Sequence, residues 1–504
     1  MSQATQRRRA DGNNLPLLPP AALAMSHVAT GRDREERVRW TQGGFDSRRT
    51  RMRLQIGTYN SQTARLPFNL DTERHCAIWG KSGVGKSTLL KTICVEHIRA
   101  GGGLTVIDPH GDMVDDLAGF IPIERTNDVI VLDPKSDRPI GLNIFDGKDE
   151  LLSLDALITF IKTRWPDGWG PRTDQLITNA ALAILDVYQR PTLIHVHKFF
   201  SNKENRKQVF ERAKDPVVRD FIAMFNGWEK RLREEATAAP ANKVSKFLTN
   251  PLLRDVFGQA KSLLFREVLD KKRILLCRVP KGSLGSDVSS LIGSTVIFKL
   301  FQAALEREHV PYEDRIPHLL VIDEVKNFAD GSMLSQIFAE ARKYRLTLFI
   351  AGQMPSQLEE PQEVFGNVST NIVFRLGGRD AKLLEEESGG EIPAGAFVRL
   401  PNRSFYGSTI VDDVVIGPVR SEMLPMIKRN GGENRKRDVL NWSLNNYGVD
   451  RKQVEQEIAD LLTEDTWNSK PKRMSKHSKS TRSSRQLGEP PSLTSPASET
   501  GSTR

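Results

Sequence analysis

One run of eight residues constrains this chain more than anything else in it. Gly80-Lys81-Ser82-Gly83-Val84-Gly85-Lys86-Ser87 follows the apolar stretch His75–Trp79 and leads through Thr88 into a helical run ending near Ile98. The pattern G-x-x-x-x-G-K-[ST] between a strand and a helix is a phosphate loop. Its glycines let backbone N–H groups turn inward around phosphate oxygens, and the helix N-terminus adds partial positive charge. Gly80, Lys81, Ser82, Gly83, Val84, Gly85, Lys86, Ser87 and Thr88 form the nucleotide-binding set, with ATP and Mg²⁺ as the expected cofactors. Lys86 is expected to reach the β- and γ-phosphates and Ser87 to ligate Mg²⁺. A glycine-rich turn that binds nothing is the bland alternative.

A loop that binds nucleotide does not itself activate water, so a second element is needed. Leu319-Leu320-Val321-Ile322-Asp323-Glu324 supplies a buried strand ending in two carboxylates. Asp323 is expected to hold Mg²⁺ through its water shell, and Glu324 to act as general base. An acidic helix cap after a core strand is the bland alternative for the pair. The next strand, Leu346 to Ala351, ends in Gly352-Gln353, where Gln353 is placed to sense the γ-phosphate. Charge on the transferred phosphoryl group calls for an arginine. Arg375 is the first choice, with Arg379 beside it on a strand and the turn that follows; Arg172 and Arg342 are weaker candidates, and an exposed ion pair is the plain reading of each.

The rest of the chain supports an α/β frame. His75–Trp79, Leu104–Ile107, Val129–Leu132, Ile274–Val279, His318–Ile322 and Leu346–Ala351 are short apolar strands separated by helical stretches, which argues a mostly parallel sheet with helices on both faces. Between about residues 150 and 255 helical periodicity takes over: Leu151, Leu154, Leu157, Ile158 and Ile161, then Ile177, Ala180, Ala181, Ile184 and Val187, then Val218, Phe221, Ile222 and Phe225. The expected organisation is a basic arm over 1–50, an α/β ATPase domain over 51–149 and 256–430, an all-α insertion over 150–255, a helical segment over 431–466 and a basic Ser-rich tail over 467–504. Val454, Ile458, Leu461 and Leu462 mark one helix in that closing segment.

Charge and cysteine usage narrow the setting. The net charge is +10, but residues 1–60 carry eleven arginines against five acids and residues 467–504 carry eight Lys/Arg against two acids, so the middle is close to neutral. Basicity in the ends suits contact with DNA or anionic lipid through flexible arms, or simple solubilisation. Cys76, Cys94 and Cys277 form no CxxC pair, which argues against a disulfide framework or a zinc site and for a reducing, cytoplasmic setting. The apolar run from Leu15 to Met25 is interrupted by Pro19-Pro20 and falls short of the roughly 20 residues a membrane span needs, so no transmembrane segment is expected.

The phosphate loop, Asp108-Pro109-His110-Gly111-Asp112, Trp169-Gly170-Pro171-Arg172, Asp323-Glu324 with Ala339-Glu340-Ala341-Arg342-Lys343-Tyr344, Gln353 and Phe374-Arg375 occur in one order. That order resembles the type IV coupling proteins of bacterial conjugation and secretion, FtsK/HerA-type DNA-pumping ATPases, over about residues 51–425. The resemblance implies a RecA-like P-loop NTPase domain carrying the all-α insertion, homo-hexameric rings, and DNA threaded through a central channel. It also implies delivery of a relaxase-bound single strand to a secretion channel. Asp108 and His110 match a motif of that family, with a strand-to-turn cap as the plain reading. Many coupling proteins begin with transmembrane helices and none is expected here, so three alternatives stay open: a soluble branch, recruitment by a separate membrane subunit, or another DNA-pumping task. The expected setting is cytoplasmic, with attachment at the inner face of the cytoplasmic membrane, through that subunit or the Arg-rich arm, as one alternative. The expected function is ATP-driven DNA translocation; duplex-DNA processing or packaging, and a nucleotide-gated recruiting platform for secretion substrates, are the rival readings.

Overall fold

The computed structural model describes residues 52–60, 64–146, 158, 170–329, 331–358, 361–411, 414–425 and 432–463. The two basic ends, most of the first helical stripe and Trp169 lie outside them. Among the described residues eleven strands build one sheet: β1 (Arg53–Asn60), β2 (Arg65–Asp71), β3 (Cys76–Trp79), β4 (Gly103–Asp108), β5 (Val129–Leu132), β6 (Ile274–Arg278), β7 (His318–Ile322), β8 (Leu346–Gly352), β9 (Thr370–Val373), β10 (Ser404–Val411) and β11 (Val414–Met423). Their order is β2-β1-β11-β10-β9-β3-β8-β7-β4-β6-β5. From β9 to β5 every pairing is parallel, and from β9 to β2 every pairing is antiparallel. The fold is thus mixed α/β around a large, mostly parallel sheet.

The parallel part was legible because its strands are covered on both faces. β3, β4, β7 and β8 are buried at every position, and such strands read as unbroken apolar runs. Leu320 and Ile322 of β7 point into one core with the helix Ser286–Leu305, whereas Leu319 and Val321 point into the other with Leu89, Leu90 and Ile93 of the helix Lys86–Arg99. The antiparallel strands β1, β2, β10 and β11 escaped the sequence reading. Their positions are half-buried or exposed at many residues, which breaks the apolar run into a mixed pattern.

Among the described residues, the helices Pro171–Val187, Leu193–Ser201, Lys203–Arg212, Pro216–Gly227, Lys230–Thr249 and Pro251–Phe257 follow one another between β5 and β6, and the short helix Phe265–Asp270 comes just before β6. Leu176, Ile177, Ala180, Ala181 and Ile184 meet Phe199, Val218, Phe221 and Phe225 in a core continuous with one face of the sheet. Asn202, Asp215 and Asn250 accept hydrogen bonds from the first backbone N–H groups of the helices they precede, and Pro216 and Pro251 stand in first turns, where no N–H is needed. Among the described residues one helix, Ser286–Leu305, is long and apolar enough to cross a membrane. Most of it is buried within the fold, packed under β6 and β7, so it serves as a core helix.

The closing segment holds two helices where the sequence suggested one. Gly432–Tyr447 lies along the edge strand β5, with Ser443 Oγ accepting from Val131 N at 2.7 Å, and Arg451–Thr463 seats Val454 and Ile458 against Ile194 and Leu248 of the helical block. Leu462, expected on the buried stripe, is exposed instead.

Candidate nucleotide site

The loop after β3 sits on hydrogen bonds from both neighbouring strands. Gly80 N donates to Gly352 O at 3.2 Å, Lys81 N donates to Arg375 O at 2.9 Å, and Phe374 N donates to Trp79 O at 2.8 Å. Glycine is required where the loop touches its floor: a Cβ on Gly80 would lie 2.6 Å from Phe374 Cβ. Gly83 and Gly85 take left-handed φ values of 76° and 124°, and Gly85 opens the helix Lys86–Arg99 without any side-chain cap, so its first N–H groups face the loop.

Lys86 folds back over the loop, its buried Nζ donating to Gly80 O at 2.7 Å and to Lys81 O at 3.2 Å. Burial pushes its ammonium below the ordinary lysine range, and the Glu324 and Asp323 carboxylates oppose that shift. Ser87 Oγ donates to Asp323 Oδ2 at 3.1 Å, Glu324 N donates to Asp323 Oδ1 at 3.0 Å, and Gln353 Nε2 donates to Glu324 Oε1 at 3.0 Å. Burial raises the Asp323 carboxyl above the ordinary range, helped by repulsion from Glu324 and Asp108; the Ser87 hydrogen bond and Lys86 pull the other way.

Sheet order explains this convergence. β8 runs between β3 and β7, so the ends of these three strands set Gly80, Gln353 and the Asp323-Glu324 pair side by side on one edge. Glu324 holds a left-handed backbone, φ 49° and ψ 57°, which turns the chain sharply just past the strand. Such strain on a residue other than glycine is a feature of functional sites. Among the described residues no cluster of three His, Cys, Asp or Glu side chains is placed to hold a metal. One hydroxyl and one carboxylate remain, Ser87 and Asp323, and that sparse oxygen pair fits Mg²⁺, which keeps waters and phosphate oxygens for most of its ligands.

The other candidates fall in different places. Arg375 lies just beyond β9, its Nη2 donating to Asn402 Oδ1 at 2.8 Å and its Nη1 to Leu400 O at 3.4 Å. Arg379, expected on a turn, stands in the first turn of the helix Gly378–Glu387. Arg172 opens the helix Pro171–Val187, and Arg342, in the turn Ala341–Tyr344 that precedes β8, is at the sheet edge opposite the phosphate loop. Asp108 is a cap: Oδ1 accepts from His110 N at 2.9 Å, and Oδ2 accepts from Met113 N at 2.8 Å and Val114 N at 3.1 Å. His110 itself is exposed. Phe374 entered the sequence reading only within the motif Phe374-Arg375 and not as the floor of the loop, and the backbone of Arg403, whose N–H donates to Val84 O at 2.9 Å, was missed. Arg403 carries no motif, and only the antiparallel strands bring it to the loop.

Residues 54–238 match the family model of the helicase HerA central domain. The unbound form of the bacterial conjugative coupling protein TrwB superposes with a TM-score of 0.55 at 15% identity, over 78% of this chain and 98% of that one. The plasmid coupling protein TrwB in complex with ADP and Mg²⁺ gives a TM-score of 0.55 at 16% identity, over 78% and 99%. VirB4 of Thermoanaerobacter pseudethanolicus follows at a TM-score of 0.47, 14% identity, over 76% and 97%. No curated protein matches the chain in sequence. At these identities the likeness to solved structures is one of fold. The chain therefore combines a region matching the HerA central domain with the P-loop ATPase fold of the coupling protein TrwB.

Proposed function

We propose that this chain hydrolyses ATP and uses the energy to move DNA, as a ring of identical subunits related in mechanism to conjugative coupling proteins. The observation that carries the reading is the convergence of Lys86, Ser87, Asp323, Glu324 and Gln353 on one sheet edge. In it, the backbone N–H groups of the loop and the Lys86 ammonium hold the phosphate chain. Ser87 and Asp323 would hold Mg²⁺, which when bound draws off charge developing on the β- and γ-phosphate oxygens. Glu324 takes a proton from water as the oxygen attacks the γ-phosphorus; the bond to the β-phosphate oxygen breaks and ADP and phosphate leave. Gln353, hydrogen-bonded to Glu324, orients that carboxylate and registers loss of the γ-phosphate.

The coupling-protein fold supports DNA as the moved polymer, a homo-hexamer as the working assembly, and a relaxase-linked strand with a secretion-channel subunit as partners at the inner membrane face. ATPase measured without DNA, with single-stranded DNA and with duplex DNA tests the reading. Expected is stimulation by DNA that Glu324→Gln removes. Equal slow turnover in all three conditions would favour a nucleotide-gated platform and sink the motor.

A further inference from the structure

The residues that handle the phosphate chain leave its nucleoside end unassigned. Glu324 and Gln353 lie on the β7 and β8 side of β3, so the γ end of a bound triphosphate points that way. The nucleoside then leaves on the other side, toward β9, β10 and β11. On that side Arg403 N donates to Val84 O at 2.9 Å, and Met423 N donates to Arg403 O at 2.9 Å, so the sheet is stitched into the phosphate loop. A Cβ on Gly85 would lie 3.1 Å from Met423 Sδ and 3.8 Å from Arg403 Cα, which puts both residues against the glycine that opens the helix. Arg375 steadies the same segment through its hydrogen bond to Asn402.

Arg403 is itself unusual. It is exposed, its backbone is left-handed at φ 64°, and among the described residues its guanidinium has no ion pair or side-chain hydrogen bond. A planar cation and a half-buried thioether are the two non-aromatic side chains best suited to lie on a purine face. We propose that Arg403 and Met423 form the platform on which the purine base of the nucleotide rests, in the same subunit as the phosphate loop. The inference rests on the phosphate-loop reading above and adds the nucleoside contact to it.

Equilibrium binding to the full chain, with Mg²⁺ present, tests it using ATP and inorganic tripolyphosphate. Arg403→Asn, which tolerates the left-handed backbone, and Met423→Ala should each weaken ATP roughly three- to tenfold and leave tripolyphosphate within about twofold. Retained tripolyphosphate binding also reports that the loop is folded. ATP affinity within about twofold of wild type in Arg403→Asn, or an equal loss for both ligands, overturns the platform. A wild-type chain that takes neither ligand overturns the phosphate-loop reading and the platform with it, a result distinct from either variant-specific failure.

Discussion

Ser87 Oγ and Asp323 Oδ2 meet at 3.1 Å although 236 positions separate them in the chain. The contact joins the first turn of the phosphate-loop helix to the end of β7, and it exists only because β8 fills the space between β3 and β7. It brings two oxygens together beside a buried ammonium, a pairing that suits a divalent cation and a phosphate chain better than it suits folding alone. Asp323 bears a burial cost there, raised further by repulsion from Glu324, that a bound divalent cation would offset.

Glu324→Gln should lower kcat by about two to four orders of magnitude, the range for loss of a general base, while nucleotide binding persists. Gln353→Ala should lower kcat less, because it removes only the group orienting Glu324. Steady-state hydrolysis beside equilibrium nucleotide binding checks both; a Glu324→Gln chain with wild-type kcat removes Glu324 from the mechanism.

Two glycines of the loop should respond differently to alanine. Gly80→Ala drives a methyl to within 2.6 Å of Phe374 Cβ, so nucleotide binding should be lost. Gly83→Ala meets open space and bears only left-handed backbone strain, about 1–2 kcal/mol, so binding should weaken without disappearing. Titration with nucleotide ranks the two, and the reverse order would contradict the loop geometry.

Acid should destabilise the fold in a defined window. Burial holds His75, His97 and His195 down at about 4, so the fold keeps them neutral while the unfolded chain takes protons near 6.5. Folded pKa values below the unfolded ones mean stability is present above pH 6.5 and falls as pH drops toward 4, by roughly 3 kcal/mol per histidine at the bottom of the window. Urea midpoints followed from pH 7.5 to 4.5 should drop steeply, and less steeply in His195→Gln; a flat profile would mean these imidazoles titrate normally.

The closing helices are anchored by an ion pair between Arg451 and the fully buried Asp255, with Arg451 also donating to Pro134 O at 2.9 Å and Ser136 O at 2.7 Å. Removing the cation strands a buried carboxylate, so Arg451→Ala should cost about 3–5 kcal/mol. Asp255→Asn should cost less, and adding it to Arg451→Ala should restore part of the loss. Thermal unfolding of the three variants checks the order.

How much was readable depended on whether a feature is local. The phosphate loop and the apolar strands before Asp323 and Gln353 are written in consecutive residues, because the backbone turn and the doubly covered strand each impose their own short pattern. Asp108 shows the limit of motif reading: its carboxylate is spent on three backbone N–H groups of the following turn and helix, a job any well-placed cap performs. Leu462 shows another, since apolar spacing on a short helix does not say which residues its neighbour covers.

From the chain alone came the motif residues that the fold gathers on one sheet edge, most of the parallel strands and the helical run between β5 and β6, since each follows from dihedral preference, periodicity or a contiguous motif. Tertiary structure decided that β8 lies between the loop and the acidic pair, that four antiparallel strands extend the sheet, and that Arg403 and Met423 reach Gly85. Those relationships depend on strand order and on pairing across hundreds of residues, and no local energy in the chain encodes which strand lies beside which.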